Sequence, residues 1–271
     1  MARLCMMTLL FAATLGAKPV VTVRADDVMD APQPKARLAQ WADMPGRRAV
    51  SLRVPGATLR GFIYAGRSPA APVLLVFGGS GNLIVRHDEA SRGFARFASH
   101  VAFYDYRGYG FSTGTAHLRL LEGDAVRIYD AVVKRFGRPV VVLGYSMGTA
   151  VAEYVAMHRP VAAMILCAPW NDYVATDEYT DPRSAYVLTP EAQALFDEVA
   201  MVRRIHVPLL VVQGTRDDAI PPQQGPALER AAASPEKRFV PIVGAKHNGL
   251  LENPQTQAAV ARFLADRPGR R

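Results

Sequence analysis

Serine, histidine and aspartate together can attack a carbonyl and move the proton that the attack releases. The chain holds all three in settings that favour such work. Val140-Val141-Val142-Leu143-Gly144-Tyr145-Ser146-Met147-Gly148-Thr149-Ala150 reads as a short β run, then Gly-x-Ser-x-Gly, then a small-residue helix start. A serine at the apex of so sharp a turn takes a strained backbone, and its neighbours two positions away must lack side chains so that strand and helix can approach. The turn lifts the hydroxyl clear of the sheet, and the following helix offers its positive end to a developing oxyanion. With 21 glycines in 271 residues the five-residue pattern alone is a weak signal. Its place between a β run and a helix separates a nucleophile from a tight structural turn with an inert serine.

A serine nucleophile needs a base, and the base needs an acid to orient it. His247 stands in Val243-Gly244-Ala245-Lys246-His247-Asn248, after the last apolar run and before the last helical segment. A loop at that edge lets an imidazole reach both a hydroxyl and a carboxylate. His87, His100, His117, His158 and His206 lack the setting and read as structural or surface groups, His158-Arg159-Pro160 as a helix end. Candidate acids are Asp217 and Asp218, where the run Leu209–Val212 enters a Gly-containing turn, and Asp172, just after the run that ends at Cys167. For the oxyanion, Gly78-Gly79-Ser80-Gly81 follows another apolar run. Phe77-Gly78-Gly79 resembles, with Phe in place of His, the His-Gly-x segment of α/β-hydrolases, and the resemblance implies the backbone N–H groups of Gly79 and Met147 as donors, with Ser80 the alternative to Gly79. There is no His-x-x-x-His, no paired cysteine motif, no dinucleotide fingerprint and no Walker lysine, so neither a metal nor a cofactor is expected.

The elements that must hold these residues are legible from hydrophobic period. Residues 49–54 and 58–64 alternate around Pro55-Gly56, which predicts a β-hairpin. Continuous apolar runs at 72–77, 101–104, 139–143, 161–167, 207–212 and 238–243 predict strands covered on both faces, hence parallel. Helical periods fall near 88–98, 121–136, 147–158, 190–204, 223–232 and 255–265, with Thr189-Pro190 and Asn253-Pro254 as start signals. Between Cys167 and Val207 lies a gap too long for an ordinary crossover, and it is read as a small lid at about 171–206.

Elbow, order of candidate residues and strand–helix alternation together resemble the α/β-hydrolase superfamily over nearly the whole chain after residue 47. The resemblance implies a mostly parallel, doubly wound sheet of about eight strands with an N-terminal antiparallel hairpin and a small lid. It also implies the order nucleophile, acid, histidine, here Ser146, Asp217 and His247. Asp217 is chosen over Asp218 because it stands three residues after Gly214, as in the family's acid loop. Asp105-Tyr106-Arg107-Gly108-Tyr109-Gly110-Phe111-Ser112 resembles another family segment, whose Asp and Arg tie loops together. The nearest resemblance is to small-lid esterases, lysophospholipases and protein depalmitoylases. The implied substrate is a small-molecule acyl ester or thioester; the alternatives are an aminopeptidase or amidase, and a binding protein on a hydrolase scaffold.

The rest of the composition sets the context. Half the residues are hydrophobic and 21% are charged, a globular balance. Residues 1–25 hold Arg3, an apolar stretch from Leu4 to Ala17, and then Lys18-Pro19. This is read as a signal peptide cut after Ala17 or Ala25, with an uncleaved membrane anchor as the alternative; 26–46 is read as a linker and 47–271 as the hydrolase domain. Secretion or export to the periplasm is therefore expected. If the leader leaves, Cys5 leaves with it and Cys167 has no partner for a disulfide. The net charge of +8 falls by Arg3, Lys18 and Arg24 to +5 after a cut at Ala25, which suits loose peripheral contact with anionic surfaces. No aromatic residues interleave with the basic ones as in nucleic-acid modules, so no nucleic acid is expected.

Overall fold

The computed structural model describes residues 18–24, 27, 38–81, 83–195 and 197–267. The continuous apolar runs become β4 (Val73–Phe77), β5 (His100–Tyr104), β6 (Val140–Tyr145), β7 (Ala163–Cys167), β9 (Leu209–Gly214) and β10 (Lys237–Ile242). The hairpin becomes β2 (Arg47–Val54) and β3 (Ala57–Ala65), with Gly56 turning between them at φ +74°. The eight strands form one sheet in the order β10-β9-β7-β6-β4-β5-β3-β2. β3 runs antiparallel to both β2 and β5, and the other neighbours pair parallel.

Every residue of β4, β6, β7 and β9 is buried, which is why these strands read as unbroken apolar runs. Each Val, Leu or Ile so buried contributes about 1.5–3 kcal/mol relative to leaving it in water. Cys167 sits free in this core, and burial pushes its thiol up to about 12, so it is inert packing.

Helices α1 (Asp88–Phe94), α2 (Leu118–Phe136), α3 (Gly148–His158), α7 (Gln224–Ala231) and α8 (Pro254–Ala265) flank the sheet. Asn253 caps α8 by accepting from the Gln255 N–H at 2.8 Å, with Pro254 behind it. The lid region holds α4 (Tyr173–Thr180), β8 (Ala185–Leu188), α5 (Pro190–Leu195) and α6 (Glu198–Val202). The single helix expected at 190–204 is thus two. Asp197 accepts from the Ala200 N–H and caps a new start instead of continuing the old helix.

One pairing has no signal in the period. β1 (Val20–Val23) lies parallel to β8, Val20 opposite Ala185 and Val23 opposite Leu188, and Val23 is buried in the core. The leader's apolar stretch and both candidate cleavage residues, Ala17 and Ala25, lie outside the described residues. Within the expected linker, Trp41 donates from Nε1 to the Gly61 carbonyl at 3.2 Å and so packs on β3. Among the described residues no helix is long and apolar enough to cross a membrane.

Candidate active site

The turn after β6 is a strained elbow. Ser146 has φ +54°, one of two non-glycine residues in the left-handed region among those described. Both flanking glycines are sterically required. A Cβ on Gly144 would lie 2.3 Å from the Gly148 carbonyl oxygen, and one on Gly148 would lie 2.2 Å from that of Phe77. The elbow is tied from behind by the Ser146 N–H, which donates to the Cys167 carbonyl at 3.0 Å, and by the Thr149 N–H and hydroxyl, both on the Ser146 carbonyl.

Three sequence candidates come together here. His247 Nε2 lies 3.1 Å from Ser146 Oγ, and its Nδ1 lies 3.0 Å from Asp217 Oδ2. The imidazole stacks on Tyr145 at 5.2 Å between ring centres, and the Tyr145 hydroxyl donates to the His247 carbonyl at 2.8 Å, so ring and backbone of the histidine loop are both held. Asp217 is 1% exposed and fully engaged. Its Oδ1 accepts from the Ala219 and Ile220 N–H groups, and its Oδ2 accepts from Gln213 Nε2 as well as facing the histidine. Such a donor cage fixes the carboxylate and aims it at the imidazole.

The rival acids lie elsewhere. Asp218 points outward, its side chain 53% exposed, and pairs with Lys246 at 3.1 Å, which holds its carboxyl below the usual range. Asp172 caps α4 by accepting from the Ala175 N–H. The other histidines are also occupied. His87 contacts Glu252 through Nδ1 at 2.8 Å, His100 lies against Phe136, His158 bonds the Tyr154 carbonyl and His117 opens α2.

Gly78 and Gly79 follow β4 directly, and Gly78 presses against the elbow, since a Cβ on Gly148 would also meet the Gly78 carbonyl at 2.6 Å. Tyr106 holds that carbonyl with its hydroxyl at 2.8 Å. Met147, the other expected donor, caps the N-terminus of α3. Asp105 accepts from the Ile84 and Phe111 N–H groups, and Arg107 makes a two-pronged buried pair with Asp124 at 2.6 and 2.7 Å. These are the loop ties expected of that segment. Burial pushes Asp105 up to about 6 against the pull of its two N–H donors. The segment between β7 and β9 reaches the site where the Tyr179 hydroxyl donates to the Asp217 carbonyl at 3.0 Å. Among the described residues no group of three His, Cys, Asp or Glu side chains could hold a metal ion.

Sequence reading passed over Gln213, Tyr145 as a holder of the histidine loop, and the Thr149–Glu198 contact at 2.6 Å. Gln213 alone carried a signal, a polar residue closing an unbroken apolar run four positions before Asp217.

Residues 68–189 match the family model Hydrolase_4, described as serine aminopeptidase, S33. An uncharacterized protein of Mycobacterium tuberculosis is 30% identical over 235 residues, covering 82% of this chain and 80% of that protein. The chain belongs to the α/β-hydrolase superfamily. As a member it is a hydrolase on that scaffold. The lysophosphatidylserine lipase ABHD12 of Macaca fascicularis is 28% identical over 192 residues, 61% of this chain, which spans only 48% of that relative. Two solved α/β-hydrolases share the fold. The Pyrococcus furiosus esterase PF2001 has a TM-score of 0.67 at 15% identity, covering 86% of this chain and 96% of its own. Est1E of Butyrivibrio proteoclasticus, solved with ferulic acid, has 0.65 at 18%, covering 80% and 98%.

Proposed function

We propose that the protein is a serine hydrolase that cleaves a carboxyl ester or thioester through an acyl-enzyme. The observation that carries this reading is the unbroken line Asp217–His247–Ser146, at 3.0 and 3.1 Å, ending on a strained elbow. Ser146 Oγ attacks the acyl carbon while His247 Nε2 takes its proton, a transfer worth about 10²–10⁴-fold. Asp217 keeps the Nδ1 proton in place and stabilises the imidazolium. The Gly79 and Met147 N–H groups receive the oxyanion, each worth about 10²–10³-fold. The intermediate collapses as His247 returns the proton to the departing alcohol or thiol. Water then repeats both steps on the acyl-serine and frees the acid.

A fluorophosphonate probe should label the native protein, and Ser146→Ala should abolish labelling; a variant that still labels sinks the assignment. The match to a family described by its aminopeptidases favours amide cleavage as the second reading. p-Nitrophenyl esters of rising chain length, run beside amino-acid p-nitroanilides, divide the two. The leader-like residues 1–25 support export or anchoring of the chain.

A further inference from the structure

Behind the elbow lie two carboxyl groups that the proposed chemistry does not use. Glu153 on α3 and Glu198 on α6 are wholly buried, as is Thr149 between Glu198 and the elbow. Thr149 Oγ1 lies 2.6 Å from Glu198 Oε1 and 2.6 Å from the Ser146 carbonyl oxygen. A threonine hydroxyl has one hydrogen to give. If it gives that hydrogen to an ionised Glu198, its oxygen is left facing the Ser146 carbonyl at 2.6 Å with no proton between them, a repulsive contact. Both short contacts are hydrogen bonds only when Glu198 carries a proton, donates it to Thr149, and Thr149 donates to Ser146.

Resting on the reading of Ser146 as nucleophile, we propose that Glu198 is a positioning residue, a neutral carboxylic acid that holds the elbow through Thr149. The surroundings leave no counter-charge for an ionised form. Glu153 is the nearest group from α3, and its two oxygens and Glu198 Oε2 meet no donor. Asp197, at the start of α6, adds further negative potential at Glu153. Packed on α6, α7 carries Glu229 half-buried and Arg230 exposed; Glu122 on α2 faces His158 and Arg119. No Arg, Lys or His among the described residues pairs with either buried carboxyl. Burial pushes both Glu198 and Glu153 well above the ordinary carboxylate range, and at Glu198 it outweighs the opposing pull of the Thr149 hydroxyl and the Ala150 N–H. The neutral relay explains how the Ser146 carbonyl keeps a second donor at a strained φ, on the same residue as the nucleophile.

Glu198→Gln keeps shape and can donate to Thr149 at every pH; Glu198→Leu and Thr149→Val cannot pass the bond on. Infrared difference spectra of native protein against Glu198→Gln at neutral pH should contain the carbonyl band of a neutral acid. A carboxylate band there overturns the proposal. In ester hydrolysis Glu198→Gln should stay within about threefold of native, while Glu198→Leu and Thr149→Val lose about tenfold in kcat and in fluorophosphonate labelling rate with KM unchanged. A Thr149→Val protein as fast as native, or a Glu198→Gln protein as slow as Thr149→Val, also overturns it, even if the leucine variant does not fold. Labelling that survives Ser146→Ala would remove the nucleophile reading while leaving the infrared band untouched, so the two failures are distinguishable.

Discussion

Asp217→Asn tests the core of the proposed mechanism most sharply, because the site leaves an amide no comfortable orientation. Oδ2 faces Gln213 Nε2 and His247 Nδ1, and Oδ1 accepts two backbone N–H groups. Whichever position the amide nitrogen takes, it meets groups that must donate. If it takes the Oδ2 position, it donates to Nδ1 and the imidazole proton moves to Nε2, where it faces Ser146 Oγ and blocks proton uptake. The expected loss in kcat is about 10³–10⁴-fold, which is about 4–5.5 kcal/mol of transition-state stabilisation. Asp218→Asn breaks only an exposed pair with Lys246 and should cost less than about threefold. Asp172→Asn should be equally mild, since an amide oxygen still caps α4. The assay is p-nitrophenyl butyrate hydrolysis, with circular dichroism to verify folding of each variant. If Asp217→Asn keeps more than a tenth of native kcat while Asp218→Asn collapses, the assignment of the acid is wrong.

Gly148→Ala should lower the thermal midpoint by roughly 4–12 °C, since its Cβ meets the Phe77 backbone oxygen at 2.2 Å and the overpacking costs about 2–3 kcal/mol; a thermal melt within 1–2 °C of native, taken as about the error, would refute this. Asp124→Ala should destabilise by about 3–5 kcal/mol in urea, because it strands the buried Arg107 charge, and Arg107→Met with Asp124→Leu should recover most of the loss. The third concerns pH. Burial pushes Asp88 upward, but hydrogen bonds from Arg92, Arg47 and Tyr64 outweigh it and hold the carboxyl below its usual value. Its contribution to stability is therefore present above about pH 4 and lost as pH falls through the lower folded value. Urea midpoints of native protein and Asp88→Asn should differ at pH 6 and converge toward pH 3; a constant difference contradicts the argument.

What could be read along the chain was local. A Gly-x-Ser-x-Gly between a β run and a helix announces its turn within five residues, although the backbone that keeps Gly148 bare belongs to Phe77 and Gly78 after β4. The central parallel strands announce themselves because burial on both faces leaves almost no polar residue in them, whereas the edge strand β10 is half-exposed and starts with Lys237 and Arg238; Asn253-Pro254 marks a helix start through its own side chain. Sequence also supplied the order of the three candidates. Register after Gly214 picked Asp217 over the chemically identical Asp218, and the tertiary structure supplies the physical reason. The turn after β9 aims the Ala219 and Ile220 N–H groups at Asp217 and leaves Asp218 outside with Lys246. The tertiary structure alone paired Val20–Val23 with β8, more than 160 residues away, since four residues without a clear period fit many edges. It alone set Glu198 against Thr149, because the protonation of a glutamate depends on what surrounds it, and those surroundings come from helices that meet only once the sheet has formed.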